Sequence, residues 1–244
     1  MGAIQDKTGP ARGPFFDGES VTRPCWSCEH DGDDLYNCSN CDRIQAFLKD
    51  TDYFTWFGIG RILSIDQDVL ERQYHSLSRK FHPDYFQQRT PEEQAISLDN
   101  TARLNQAYRT LKDPKKRVAY LLSLIEGDKP LASEAPAELF EDIFEIQERL
   151  EAIQKSSLQD RGERETLLQS LKNDLDKMRA HRDEEERQLQ KLFLAWDRLE
   201  ENRKTDFFSD EQKAHLNHMK RILSHEGYLD RIVQNIQAVL EDNK

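Results

Sequence analysis

The tripeptide His82-Pro83-Asp84 constrains this chain more than any other feature, because of what stands on either side of it. Proline has no N–H, fixes its own φ and pushes the residue before it out of the α region, so a helix that reaches Phe81 must end at His82. Upstream, Leu70, Tyr74, Leu77 and Phe81 recur at helical spacing; downstream, Ser97, Thr101, Leu104, Tyr108 and Leu111 do the same. Two such helices pack against each other as a hairpin, and the turn between them presents an imidazole and a carboxylate at its tip. By itself the tripeptide is also what a plain helix-ending turn with a solvated aspartate looks like.

Composition limits what can surround the hairpin. Of 244 residues, 36% are hydrophobic and 33% charged, a balance that suits thin helical layers rather than a large buried sheet. The chain has only 10 glycines and no alternating pattern of any length, which leaves a dinucleotide-binding sheet or a glycine-rich phosphate cradle little to stand on. No apolar run approaches the roughly 20 residues that span a bilayer, so a soluble, all-α protein without membrane partners is expected. The net charge of −11 disfavours nucleic-acid backbones as partners.

All four cysteines fall within 17 residues, as Cys25-Trp26-Ser27-Cys28 and Cys38-Ser39-Asn40-Cys41, with nine residues between the pairs. Each CxxC turn can bring two thiolates to one metal, and two turns complete a tetrahedral shell with Zn–S bonds of about 2.3 Å. A structural zinc site on Cys25, Cys28, Cys38 and Cys41 is the expectation; so short a segment builds no core, and metal binding would supply its folding free energy. Two disulfides, or an iron centre on the same sulfurs, are the alternatives. The loop between the pairs is acidic, with Glu29, Asp31, Asp33 and Asp34, which argues against a nucleic-acid knuckle. His30, beside a shell already closed by four thiolates, reads as a surface residue.

Gly127 to Pro136 reads as a linker by composition, and three long helical patterns follow, an antiparallel bundle. Breaks are expected at Arg161-Gly162 and at Thr205 to Asp210, with Ser209 capping the last helix. The first of the three holds seven acids against Arg149 alone over residues 134 to 153, a net −6. A solvated face is the ordinary reading of such a run. Yet Phe140 and Phe144 stand beside Leu139, Ile143 and Ile146 and cannot all point inward, and an exposed aromatic pair rimmed by carboxylates has the makings of a binding face. Met178 and Trp196 read as core residues.

Several motifs in one order carry a family resemblance. Tyr53-Phe54-Thr55-Trp56-Phe57-Gly58 opens the unit, the helix ending in Arg79-Lys80-Phe81 leads to HPD, and Asp113-Pro114 caps a helix that runs through Arg117 and Tyr120-Leu121-Leu122-Ser123-Leu124. A helical hairpin with HPD at its tip resembles the J domain; with this opening and this ending it is similar to the HscB family, the J-type co-chaperones of iron–sulfur cluster assembly. The resemblance implies a tail at 1–20, a tetracysteine zinc module at 21–48, a J domain at 49–128, a linker at 129–136 and a three-helix scaffold-binding bundle at 137–244. It implies that His82, Pro83 and Asp84 dock on a DnaK/HscA-type chaperone and stimulate its ATPase, with Arg72, Arg79 and Lys80 steering the approach. It further implies that Phe140, Phe144, Glu145, Glu148 and Tyr228 contact an IscU-type scaffold protein, and that the chain is an ATPase activator rather than an enzyme. Phe144 departs from the pattern, where methionine is common.

Residues 1–20 are rich in glycine and proline and hold only Lys7 and Arg12 as bases against three acids, unlike an arginine-rich transit peptide or a secretory leader. They read as a disordered tail. The family implies the mitochondrial matrix, while the residues themselves suit a cytosolic form equally. Two rival functions remain at this point: a general J protein that receives unfolded clients, and a zinc hydrolase using His82 and Asp84 as an acid–base pair. The second needs an open metal position, which four cysteines do not leave.

Overall fold

A computed structural model describes residues 23–32, 36–48, 51–127, 129–155, 161–202 and 208–243. The expected tail at 1–20 and the loop acids Asp33 and Asp34 lie outside these residues. Among the described residues the chain carries seven α-helices and one pair of two-residue strands, so the all-α expectation holds. It divides into two compact units: one of the described residues up to Leu124 with the end of a long helix from Asp197, the other of those from Ile125 to Trp196 with the last helix.

The first unit begins with β1 (Arg23–Pro24) and β2 (Asp31–Gly32), paired antiparallel with Arg23 opposite Gly32. Strands of two residues leave no alternation to read in the sequence. Helix α1 (Tyr53–Trp56) starts at Asp52, whose carboxylate accepts from the Thr55 N–H at 2.9 Å and from Arg61 Nε at 2.9 Å. It stops at Gly58, where φ of +63° lets the chain reverse while the Gly58 and Ile59 N–H groups close on the Thr55 and Phe54 carbonyls. That explains the glycine at the end of the opening motif.

Helix α2 (Gln67–Phe81) and helix α3 (Pro91–Lys112) form the hairpin, joined by a 3-10 turn over Pro83–Phe86. Thr90 caps α3 through a capping box with Glu93, and Pro91 occupies the first turn, where its missing N–H costs nothing. Helix α4 (Pro114–Glu126) follows after Asp113, which accepts from the N–H groups of Lys115 and Lys116. The hairpin closes over Leu70, Phe81, Leu104 and Leu111 and over Leu121 of α4, each at most 1% exposed; burying each such side chain stabilises the fold by about 1.5–3 kcal/mol.

Inside this core lies one guanidinium. Arg117 is 2% exposed and donates to the carbonyls of Leu111 and Leu63, so it ties the end of α3 to the loop before α2. Burial pulls its pKa down to about 10, against the pull of Asp197 and Asp113. Asp197 accepts from the N–H groups of Leu63 at 2.6 Å and Ser64 at 2.8 Å, satisfying the same loop.

The second unit is the three-helix bundle: α5 (Phe140–Lys155), α6 (Arg161–Glu201) and α7 (Asp210–Glu241). Ile146, Leu171, Met178, Leu229 and Ile236 form the centre of its core. Ser209 caps α7 by a capping box with Gln212, as expected. Arg161-Gly162, expected as a break, is instead the first turn of α6. An N-terminal N–H has no intrahelical partner to lose, so a glycine there costs less than inside the helix, and Glu163 suits the positive end of the dipole. Residues 205–207 of the other expected break lie outside the described residues.

Nor is the stretch after Gly127 a loose tether. Ser224 donates to the Ala132 carbonyl and accepts from the Glu134 N–H, and Arg231 donates to Ser133 Oγ at 2.8 Å. A Cβ on Gly227 would stand 3.4 Å from Ser133 Oγ, so the absent side chain lets the segment lie close against α7.

Candidate functional site

The HPD turn is held from beneath and open above. Helix α2 ends on Phe81, fully buried, whose carbonyl accepts from Ser97 Oγ at 2.6 Å and Thr101 Oγ1 at 3.0 Å. Two hydroxyls from α3 thus satisfy an oxygen that Pro83 leaves without a helical partner. His82 has φ −59° and ψ 125°, the extended conformation that a following proline imposes. Its Nδ1 accepts from the Asp84 N–H at 3.3 Å, and its carbonyl accepts from the Tyr85 N–H at 3.0 Å. When the ring is neutral, the bond at Nδ1 goes with the tautomer that carries its hydrogen on Nε2. The side chains are 49% exposed at His82 and 71% at Asp84. Gln87 donates to Asp84 Oδ1 at 3.3 Å, which orients the carboxylate while leaving it accessible. His82 Nδ1 also stands 3.5 Å from Asp84 Oδ2, so the turn presents the imidazole and the carboxylate side by side.

Arg72, Arg79 and Lys80 are all exposed on α2. Lys80 also has a partner that its sequence neighbours did not suggest: its Nζ stands 5.0 Å from the centre of the Tyr36 ring, which comes from the cysteine module.

The four cysteines converge. Cys25 Sγ lies 3.7 Å from Cys41 Sγ, Cys28 Sγ lies 3.6 Å from Cys38 Sγ, and all four sulfurs lie within 4.8 Å of one another. A tetrahedral shell with bonds of about 2.3 Å places its sulfurs about 3.8 Å apart, so the donor set fits a thiolate-binding ion such as zinc. None of the four is in a disulfide, which removes that alternative. The two knuckles repeat one geometry: the Glu29 N–H returns to the Cys25 carbonyl and the Asp42 N–H to that of Cys38, with φ of 58° and 56° at the fifth residue of each.

Electrostatics point the same way. At Cys25 burial raises the thiol pKa, but N–H groups of Ser27 and Cys28 and the neighbouring sulfurs outweigh it and bring it down to about 6. At Cys41 the backbone N–H of Arg43 works downward, yet burial and the three other sulfurs push the thiol up to about 12. Four sulfurs this close cannot all ionise without a cation between them.

On α5, Phe140 is 68% and Phe144 60% exposed, and Glu148 continues the same face one turn on. Glu145 is exposed but paired, 2.5 Å from Arg149, which also reaches Asp174 at 2.6 Å. Asp142 is held by Lys177 at 2.6 Å. Asp142 is therefore tied to α6, as is Glu138 through His181 at 3.9 Å, and with Glu145 paired along α5 the acidic face is smaller than the count of acids suggests. Tyr228 on α7 is half-buried against the bundle core, with the Arg231 guanidinium 5.6 Å from its ring centre. No ring contact among the described residues joins it to Phe140 or Phe144.

One residue central to the first unit carried no signal in sequence. Asn100, fully buried on α3, accepts from the Phe47 N–H at 2.9 Å and donates to the Gln45 carbonyl at 2.8 Å, gripping the backbone that leaves the cysteine module.

Comparison with known proteins agrees with this geometry. The DnaJ domain family model matches residues 52–120. The iron-sulfur cluster co-chaperone protein HscB of Mus musculus is 34% identical over 140 residues, 54% of this chain and 59% of its own length. The Homo sapiens protein of the same name is 33% identical over 132 residues, 52% and 56% respectively. The chain thus spans less than two thirds of these relatives. Its fold resembles the crystal structure of human co-chaperone protein HscB, with 24% identity, 88% of this chain and 98% of that one covered, and a TM-score of 0.62. The chaperone HscB from Vibrio cholerae gives 20% identity, 79% and 100% coverage, and a TM-score of 0.53. With a DnaJ domain around its HPD turn, this chain is similar in sequence to HscB co-chaperones at a third identity over half its length and shares their fold.

Proposed function

We propose that the chain is a bridging co-chaperone of iron–sulfur cluster assembly: the first unit docks on a DnaK/HscA-type chaperone and stimulates its ATPase, while the second holds an IscU-type scaffold. The observation that carries the reading is the HPD turn, whose two polar side chains are exposed while the Phe81 and His82 carbonyls and the Asp84 and Tyr85 N–H groups are anchored. A preformed turn loses little entropy on docking. Asp84 offers its carboxylate to a partner's guanidinium, His82 presents Nε2–H, and Arg72, Arg79 and Lys80 steer the approach to an acidic surface, which makes docking transient and salt-sensitive. This protein makes and breaks no bond; its part is to bind and orient.

On the second unit, Phe140, Phe144 and Glu148 are the central scaffold contacts, with Glu145 and Tyr228 at the rim. Cys25, Cys28, Cys38 and Cys41 hold zinc, which supplies cross-linking of the two knuckles and no reaction. The domain limits of 21–48, 49–128, 129–136 and 137–244 and a mitochondrial matrix location, with the cytosol as alternative, complete the reading. Its supports are the names of the relatives and the geometry of the turn.

A single-turnover ATPase assay of a DnaK-type chaperone tests it, with the wild-type chain and with His82→Gln. Stimulation by the first and not the second is expected; equal stimulation by both sinks the docking assignment. Pull-down of a folded IscU-type scaffold tests the other end. Binding only to unfolded clients would favour the general J protein.

A further inference from the structure

We infer that Tyr36 and Phe47, carried by the cysteine module, are positioning residues for the HPD turn. Both rings rest on Phe81, the residue directly before His82: the centroids are 5.8 Å apart for Tyr36 and 5.1 Å for Phe47, the latter nearly edge-on at 77°. Phe47 also stacks on Trp56 at 4.4 Å and 12°, and the Tyr36 hydroxyl donates to the Trp56 carbonyl at 2.9 Å. Lys80, the residue before Phe81, places its Nζ over the Tyr36 ring. Two consecutive residues of the last turn of α2 are therefore held by the module, while Ser97 and Thr101 hold the Phe81 carbonyl from α3. Without the module, Phe81 would present an aromatic face to water at the base of the turn.

The sulfur cluster is joined to these rings by a short chain of bonds. Gln45 donates through Nε2 to Cys25 Sγ at 3.3 Å, and its backbone N–H donates to the Tyr36 carbonyl at 2.8 Å. The bridge between Asn37 and Ile44 closes the second knuckle just beside Tyr36, and Asn100 fixes Phe47 from below. A metal that cross-links the knuckles thus fixes the segments that carry both rings. What the module supplies to the J domain is order at the end of α2, and the activity it serves rests on the docking reading above.

Amide hydrogen exchange on the full, zinc-loaded chain separates the possibilities, comparing wild type, Tyr36→Ala, Tyr36→Phe and wild type stripped by a chelator. Exchange at His82, Asp84 and Tyr85 is expected to rise about tenfold in Tyr36→Ala, the scale of one lost aromatic contact. It should rise at least as much on zinc removal and stay at the wild-type level in Tyr36→Phe, which keeps the ring, with α7 unchanged throughout. Unchanged exchange at these amides in both Tyr36→Ala and the stripped chain overturns the inference. An equal rise across all of α2, α3 and α4 does so too, since it would show general support of the unit. In the ATPase assay, Tyr36→Ala should raise the half-saturating concentration severalfold and leave the plateau, with Tyr36→Phe restoring it. Faster exchange with no loss of stimulation in Tyr36→Ala, while His82→Gln abolishes it, also overturns the role. If neither variant affects stimulation, the positioning stands and the docking reading falls.

Discussion

The HPD turn and the outer face of α5 are both exposed polar–aromatic surfaces, and they are made in opposite ways. At the turn the backbone is over-determined: Pro83 sets one dihedral, two hydroxyls hold the Phe81 carbonyl, and the side chains above are what the anchored backbone presents. On α5 Phe140 and Phe144 stand exposed on the helix that carries them, whose opposite stripe of Ile143 and Ile146 is buried in the bundle. One surface is specified by its support and the other is the remainder of a core helix. A substitution under the turn should therefore cost stability, and one on the α5 face should cost binding alone.

The sharpest break in this contrast is Phe81→Ala. It removes a fully buried ring on which the turn rests, and denaturant unfolding of the first unit should lose about 4 kcal/mol. Phe144→Ala should leave unfolding within about 0.5 kcal/mol of wild type, while scaffold affinity measured by calorimetry falls by about 2 kcal/mol, roughly thirtyfold. A destabilisation of several kcal/mol there would show that the ring is core after all. Ser97→Ala removes a buried 2.6 Å hydrogen bond to an oxygen that Thr101 still serves; a loss of about 1 kcal/mol is expected, with the turn retained.

The smallest effect lies at high pH. Burial pushes the Tyr120 phenol up to about 12, while in the unfolded chain it titrates near 10. Between those values the unfolded state has lost the proton and the folded state keeps it, so stability from this group is whole below pH 10 and declines as pH rises toward 12. Arg117 acts in the opposite direction in the same range, because its folded pKa is lowered. The comparison of wild type with Tyr120→Phe isolates the tyrosine: the gap in unfolding free energy should narrow steadily above pH 10, and a constant gap would contradict the assignment.

What could be read from the chain was local chemistry. Pro83 ending α2, Thr90 and Ser209 as caps, the CxxC pairs and the surplus aromatics of α5 each announce themselves within a few residues, because dihedral limits and side-chain reach act at that range. Partners distant in sequence were not readable. Asn100 meets Gln45 and Phe47, Lys80 meets Tyr36, and Ser224 meets Ala132 and Glu134, all across tens of residues or more. An asparagine or serine on a helix has the same sequence signature whether it faces water or a neighbouring backbone. The pairing of the α5 acids was unreadable for a related reason: Arg149 and Lys177 take some of them, and Lys177 and Asp174 stand on another helix.

Asn100 reads a backbone N–H and a carbonyl two residues apart, and it is indifferent to which side chains those positions carry. Its grip therefore measures length. Substitutions between Cys41 and Phe47 pass unnoticed at this contact, whereas one added or deleted residue shifts the amide out of register and turns the Phe47 ring away from Phe81. In this protein the spacing between the last cysteine and Asn100's two backbone partners is a ruler, and insertions there should be far less tolerable than any exchange of residues.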